Sequence, residues 1–221
     1  MANLIDIYHK LLEYLGEQGW WPAETEFEVI VGAILTQASS WTNVERAIAN
    51  LKSEGLLSSE ALLQVNEEKL REVIKPVGYY NAKAKKLKVF VEFLHDNYNG
   101  DLDKLFDQDT EKLKSELLSV WGIGQETADS IILYAANKPT FVVDAYTKRI
   151  MSRLGLVNEN TTYSDLKKFF ELQLPEDLEI YKEFHALLVE LGKNYCKTKP
   201  LCDKCPIRDI CAEWKNSSKK R

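Results

Sequence analysis

Apolar residues recur along this chain at helical intervals. Leu4, Ile7, Leu11, Leu12 and Leu15 mark one face of a first helix, which Gly16 and Gly19 close. Phe27 to Leu35 is apolar at nearly every position, which predicts a helix enclosed by other helices. After Thr36-Gln37-Ala38-Ser39-Ser40-Trp41, the Thr42-x-x-Glu45 pattern reads as a capping box opening the next helix. Further helices are predicted near 59–65, 67–74, 82–97 and 111–119, each preceded by Ser, Asn or Asp. Pro76 and Gly78 break the chain before Tyr79-Tyr80-Asn81. Four more helices follow near 125–136, 145–154, 163–172 and 177–194. No segment alternates with the period of a strand, and Phe141 to Val143 is too short to stand as one. The pattern predicts an all-α fold without internal repeats or a low-complexity linker.

Two of these helices meet at Trp121-Gly122-Ile123-Gly124. A Gly-x-Gly pair suits a sharp αα-hairpin, because glycine adopts positive φ without steric cost. The helix that then opens at Gln125 presents unpaired backbone N–H groups and partial positive charge, a seat for a phosphate. About twenty residues on, Phe141-Val142-Val143 delivers one carboxylate, Asp144, at the head of the next helix. The same residues also support a plain turn between helices and a plain N-cap.

The 221 residues are 45% hydrophobic, enough for one large core or two small ones. No run of eighteen apolar residues occurs, and the first residues lack the basic and apolar regions of a secretion signal, so a cytoplasmic setting with no membrane partner is expected. A net charge of −5 argues against indiscriminate nucleic-acid binding but leaves room for a local basic face. Lys83, Lys85, Lys86 and Lys88 cluster in one predicted helix. Lys193, Lys197, Lys199, Lys204, Arg208, Lys215, Lys219, Lys220 and Arg221 crowd the C-terminus. Alone such runs read as solvated surface; beside a phosphate-binding hairpin they gain meaning. His9, His95 and His185 carry no pattern that assigns them a role.

All four cysteines fall near the C-terminus as Cys196-x5-Cys202-x2-Cys205-x5-Cys211. In a reducing compartment this predicts a four-thiolate metal site over two disulfides. Zinc and an iron–sulfur cluster both accept four thiolates. Zinc sites usually pair two Cys-x-x-Cys knuckles, and here there is one.

The hairpin and its trailing aspartate resemble those of the endonuclease III superfamily of DNA glycosylases. Trp20-Trp21-Pro22, Gly32-Ala33-Ile34-Leu35-Thr36-Gln37 and Gly78-Tyr79-Tyr80-Asn81-x-Lys83-Ala84 extend the likeness over nearly the whole chain. Together they are similar to the endonuclease III-like 3-methyladenine DNA glycosylases. The resemblance implies two helical domains with a cleft between them: residues 26–136 as a six-helix domain ending in the helix-hairpin-helix of about 111–136, and residues 1–25 with 137–221 as a cluster domain. It implies a [4Fe–4S] cluster on Cys196, Cys202, Cys205 and Cys211, within a loop 196–211. The family usually has six residues between the first two cysteines, and this chain has five.

The resemblance further implies a monomer acting on double-stranded DNA that contains a damaged base, associated with the nucleoid through that DNA. Asp144 would serve excision. Trp20, Trp21 and Trp41 would form the base pocket. Gln37 would fill the gap left by the flipped nucleotide, and Tyr79 would wedge the opposite strand. Gly122, Gly124, Gln125 and Thr127 would hold phosphate, with a K+ or Na+ ion at the hairpin. Plainer roles compete: tryptophans in the core, Gln37 capping its own helix, Tyr79 merely packing.

The chemistry fits an N-alkylated purine. Such a base is cationic, and a cation over an indole gains about 0.5–2 kcal/mol. Alkylation also weakens the glycosidic bond, so no strong general acid is needed. Bifunctional relatives carry a lysine two residues after the second hairpin glycine, where this chain has Glu126. A carboxylate forms no imine, so a monofunctional enzyme is expected. The competing expectations are a glycosylase of the same fold for mismatched, deaminated or oxidised bases, a non-catalytic DNA-binding module, and a structural zinc protein.

Overall fold

The computed structural model describes residues 3–218; Lys219, Lys220 and Arg221 of the basic C-terminal run lie outside the described residues. Side-chain caps set most helix starts. Asn3, Thr25, Ser58, Asn66, Asp101, Asp109, Asp144, Thr162 and Asp177 each accept a backbone N–H from the first turn that follows. The helices are α1 (Leu4–Leu15), α2 (Glu26–Leu35), α3 (Trp41–Ser53), α4 (Ser59–Gln64), α5 (Glu67–Val73), α6 (Tyr80–Tyr98), α7 (Leu102–Phe106), α8 (Thr110–Ser119), α9 (Gln125–Ser130), α10 (Ala145–Leu154), α11 (Tyr163–Gln173), α12 (Leu178–Asn194) and α13 (Ala212–Ser218). There is no strand among the described residues, and the fold is all-α.

Several boundaries differ from the sequence reading. The capping box at Thr42 does not form. Ser40 is the N-cap, its carbonyl accepting from Asn43 and Val44, so Trp41 is already the first residue of α3. The single helix expected over 125–136 is α9 followed by a π-helical segment, Ile131–Ala135, which is buried throughout. The short helices α7 and α13 were not expected from the sequence.

The chain divides into two compact units, Ala23–Lys138 on one hand and the residues up to Pro22 with those from Pro139 on the other. In the first unit, α2 is buried along its length from Phe27 to Leu35, as its uniform apolarity requires. It includes Glu28, whose carboxylate accepts from the Glu24 N–H at 3.1 Å and pairs with Lys52 at 3.1 Å. A carboxylate that deep is tolerable only with such partners.

In the second unit, Phe141 stacks on Phe170 with ring centroids 4.0 Å apart and meets Tyr181 and Phe184 edge-on. Each fully buried phenylalanine contributes about 1.5–3 kcal/mol. The Phe141 N–H donates to Glu171 Oε1 at 3.0 Å. Phe141, Val142 and Val143 are thereby sunk into the core, which fixes where Asp144 emerges. Helices α10 and α12 approach closely at Gly192, where an added Cβ would fall 2.4 Å from the Tyr146 ring.

Candidate functional site

Asp144 caps α10 from an extended backbone, and its Oδ1 accepts the Thr147 N–H at 2.7 Å. Its other oxygen, Oδ2, lies 4.0 Å from Nε2 of His185 on α12. The Asp144 side chain is 13% exposed and that of His185 5%. Burial pushes the His185 imidazole below its ordinary pKa, and the Asp144 charge opposes that shift without overcoming it. The ring is therefore neutral near pH 7.

Trp20 stands against the same histidine. The two rings are 5.5 Å apart, and Trp21 follows at 5.4 Å from Trp20 across a cis peptide bond. The loop carrying them is tied to α12 by the Gln18 N–H, which donates to Glu183 Oε1 at 2.6 Å. Trp20, Trp21 and Trp41 are all partly exposed, and none belongs to the core. Trp41, at the head of α3, lies in the other unit.

The hairpin belongs to the unit of α2–α9. Gly122 has φ of +90°, and an added Cβ would fall 2.5 Å from Cγ of Lys86. Gly124 has φ of −97° and needs no glycine for its backbone. An added Cβ there meets nothing within 4 Å. The sequence reading treated the two glycines alike, and only the first makes the turn. Gly124, Gln125 and Glu126 are exposed. Thr127, expected among the DNA contacts, is buried and turns its hydroxyl inward, because α9 packs there on the end of α2.

Gln37 does not cap its helix. Its amide donates to Gly122 O at 3.1 Å and to Thr127 Oγ1 at 2.9 Å, while Lys86 Nζ donates to its Oε1. The Leu-Thr-Gln segment and the hairpin are thus bonded together, a link no local pattern announces. Tyr79, the residue before α6, is 77% exposed and sits in the left-handed region at φ of +44°. A bulky residue in that region is strained.

The lysines of α6 are not a loose solvated face. Lys83 is 2% exposed and donates to Val77 O at 3.0 Å. Burial, with the Lys86 charge behind it, pulls its pKa down to about 8. Lys85 lies over the half-exposed Trp121 ring at 4.8 Å, and Lys88 bonds the carbonyls of Leu63 and Val65.

The four cysteines are free thiols, which removes the disulfide reading. All four line one cavity, partly open to solvent, with Arg153, Tyr195, Pro200, Arg208, Glu213 and Trp214. Two α10 arginines bind the loop. Arg149 donates to Cys196 O at 2.8 Å, and Arg153 donates to Cys196 Sγ at 3.4 Å and Lys197 O at 2.6 Å. Burial pushes the Cys205 thiol up to about 11, and its neighbouring thiols oppose a second negative charge. A bound cationic group would reverse that balance and take all four as thiolates. Among the described residues no set of three or more Cys, His, Asp or Glu is grouped to hold one metal ion. Four thiols spaced around one cavity fit the donor set of a polynuclear group.

The contacts of His185, Lys86 and Arg153 were not legible in the sequence. Each acts through a neighbour distant in the chain, and none lies in a motif of its own.

A family profile described as "HhH-GPD superfamily base excision DNA repair protein" matches residues 31–176. A Methanocaldococcus jannaschii protein provisionally named a DNA repair glycosylase is 57% identical over 207 residues, covering 93% of this chain and 94% of its own length. Among solved structures, endonuclease III trapped as a covalent intermediate with DNA superposes with a TM-score of 0.84 at 22% identity, over 99% of this chain and 100% of that one. The H. pylori 3-methyladenine DNA glycosylase bound to 1,N6-ethenoadenine does so at 0.74 and 27% identity, over 87% and 98%. The chain belongs to the HhH-GPD superfamily of base excision DNA repair proteins, among the endonuclease III-like helix-hairpin-helix DNA glycosylases.

Proposed function

We propose that this protein is a monofunctional glycosylase that releases N-alkylated purines such as 3-methyladenine from duplex DNA and leaves an abasic site. The observation that carries the reading is the Trp20–His185–Asp144 constellation: an indole suited to a cationic base and a carboxylate suited to the sugar, joined through one buried side chain. A positively charged base gains cation–π attraction from indole that a neutral base does not. The similarity to a 3-methyladenine DNA glycosylase at 27% identity supports the same substrate class.

Asp144 supplies negative charge as the base departs and positive charge develops on the deoxyribose, and it orients the attacking water. One well-placed charge in a site shielded from water contributes several kcal/mol. The cap bond from Thr147 to Oδ1 holds the carboxylate in one orientation. Backbone N–H groups at the exposed Gly124, Gln125 and Glu126 receive phosphate, with a monovalent cation at the turn. Gln37 enters the duplex after exchanging its bonds to Gly122 and Thr127 for bonds to DNA, and Tyr79 stacks against the opposite strand. Trp21, beside Trp20 in the same loop, extends the surface for the base. Glu126 stands where the imine-forming lysine of bifunctional members stands, so the product is the intact abasic strand.

Cys196, Cys202, Cys205 and Cys211 would hold a [4Fe–4S] cluster. Bound there, it supplies four metal–thiolate bonds that pin the loop, and Arg149 and Arg153 tie that loop to the helix Asp144 caps.

Asp144→Asn tests the reading. Release of 3-methyladenine from alkylated duplex should fall at least about 10²-fold while DNA affinity is kept. Retained turnover removes Asp144 from the mechanism. Release of only mismatched, deaminated or oxidised bases by the wild type reassigns the substrate, and no release from any lesion leaves a DNA-binding module.

A further inference from the structure

The histidine on α12 touches both halves of the proposed site. Nε2 of His185 is 4.0 Å from Asp144 Oδ2, and its ring lies 5.5 Å from that of Trp20. Three segments far apart in sequence meet at this side chain: the tryptophan loop, the cap of α10 and the middle of α12. The loop is held on the same helix two residues earlier through Glu183. We propose that His185 is a positioning residue, directing Asp144 Oδ2 with its ring N–H and backing the Trp20 indole with its ring face, so that base stacking and sugar chemistry stay in register.

The geometry explains the choice of side chain. Asp144 Oδ1 is fixed by the Thr147 N–H, so only Oδ2 is left to be oriented. At 4.0 Å the imidazole is beyond hydrogen-bond distance and acts through its dipole. A neutral ring orients the carboxylate without cancelling the negative charge the developing cation needs. Burial keeps it neutral. A lysine or arginine at the same place would neutralise Asp144 and repel a cationic base stacked on Trp20. An aliphatic side chain would do neither job.

The proposal rests on the glycosylase reading for its consequence, so one arm of the test does not use activity. In the free protein, Asp144→Asn should change the ring nitrogen shifts of His185 in an NMR spectrum. Unchanged shifts refute the contact, whatever the enzyme does. Two variants then separate the two roles. His185→Phe keeps a ring against Trp20 and loses the N–H. Its single-turnover rate of 3-methyladenine release should fall about 10²-fold, as a misplaced reacting group costs, with lesion affinity nearly unchanged. His185→Gln keeps an N–H and loses the ring. It should recover most of that rate and instead bind lesion duplex about tenfold more weakly, at unchanged affinity for undamaged duplex.

Thermal melts of both variants report folding. If both variants keep wild-type rate and affinity, or if rate and affinity fall together in proportion to lost stability, the positioning role is overturned. A wild type that releases no base sinks the glycosylase reading, and the NMR arm and lesion-affinity comparison still decide whether His185 couples Asp144 to Trp20.

Discussion

Lys114 on α8 reaches the fully buried Asp129 of α9 with both oxygens at 3.0 Å, tying together the two helices of the hairpin. The turn that presents Gly124 to solvent is therefore held from beneath by an ion pair. Removing Lys114 takes one charged partner from a buried carboxylate, a loss of about 1–3 kcal/mol. Lys114→Met should lower unfolding free energy by about that amount in urea titration. The double variant Lys114→Met/Asp129→Leu should recover most of it.

The two hairpin glycines should separate folding from binding. Gly122→Ala puts a Cβ at positive φ and onto the Lys86 stem, costing about 1–2 kcal/mol from backbone strain alone. Gly124→Ala meets nothing and should stay within about 0.5 kcal/mol of the parent. Its methyl nevertheless stands where phosphate is proposed to approach. Fluorescence anisotropy with labelled duplex should show weaker binding for Gly124→Ala at unchanged stability.

Lys83 gives a pH dependence of defined sign. Its pKa is about 8 in the folded protein against an ordinary 10.5, because burial disfavours the charged form. Between these values the unfolded chain binds more protons, so this group raises stability as pH climbs from about 8 to 10.5. Below about 8 both states are charged and the full penalty applies. Relative to Lys83→Met, the wild type should gain at most about 3 kcal/mol across that window, read from denaturant unfolding at stepped pH.

Glu126 is exposed in the first turn of α9. The wild type should give no borohydride-trapped adduct with abasic duplex. Glu126→Lys places an amine at that turn and should yield the adduct, if the position faces the sugar as proposed. Gel shift under denaturing conditions reads both.

The cysteine cavity makes a prediction of its own. Purified protein should absorb in the visible range, and Cys205→Ser should abolish that absorption. A group held at about a hundred times its dissociation constant contributes about 2.7 kcal/mol. For a chain of this size its loss should lower Tm by roughly 5–10 °C.

Much of the fold is legible in the sequence. The helical periods of α1 and α2, the Gly-x-Gly turn, the cap at Asp144 and the cysteine cluster are all local, written within one or two turns of chain. Caps at Asn66, Asp109 and Asp177 could be read in the same way, because a short polar side chain satisfies N–H groups only two or three residues ahead. Where two local signals competed, the sequence misled: Thr42 had the capping pattern, yet Ser40 opens α3.

The amino-acid sequence alone determined the all-α class, the family and the short list of residues able to do chemistry. Only the tertiary structure decided which of them meet. Gln37 is bonded to the hairpin, Thr127 faces inward, Lys83 is buried, and His185 stands between Asp144 and Trp20. A repeat or a cap is a statement about neighbours along the chain. Contacts of this kind depend on how packed helices return distant segments to one place, and that is settled by burying the core.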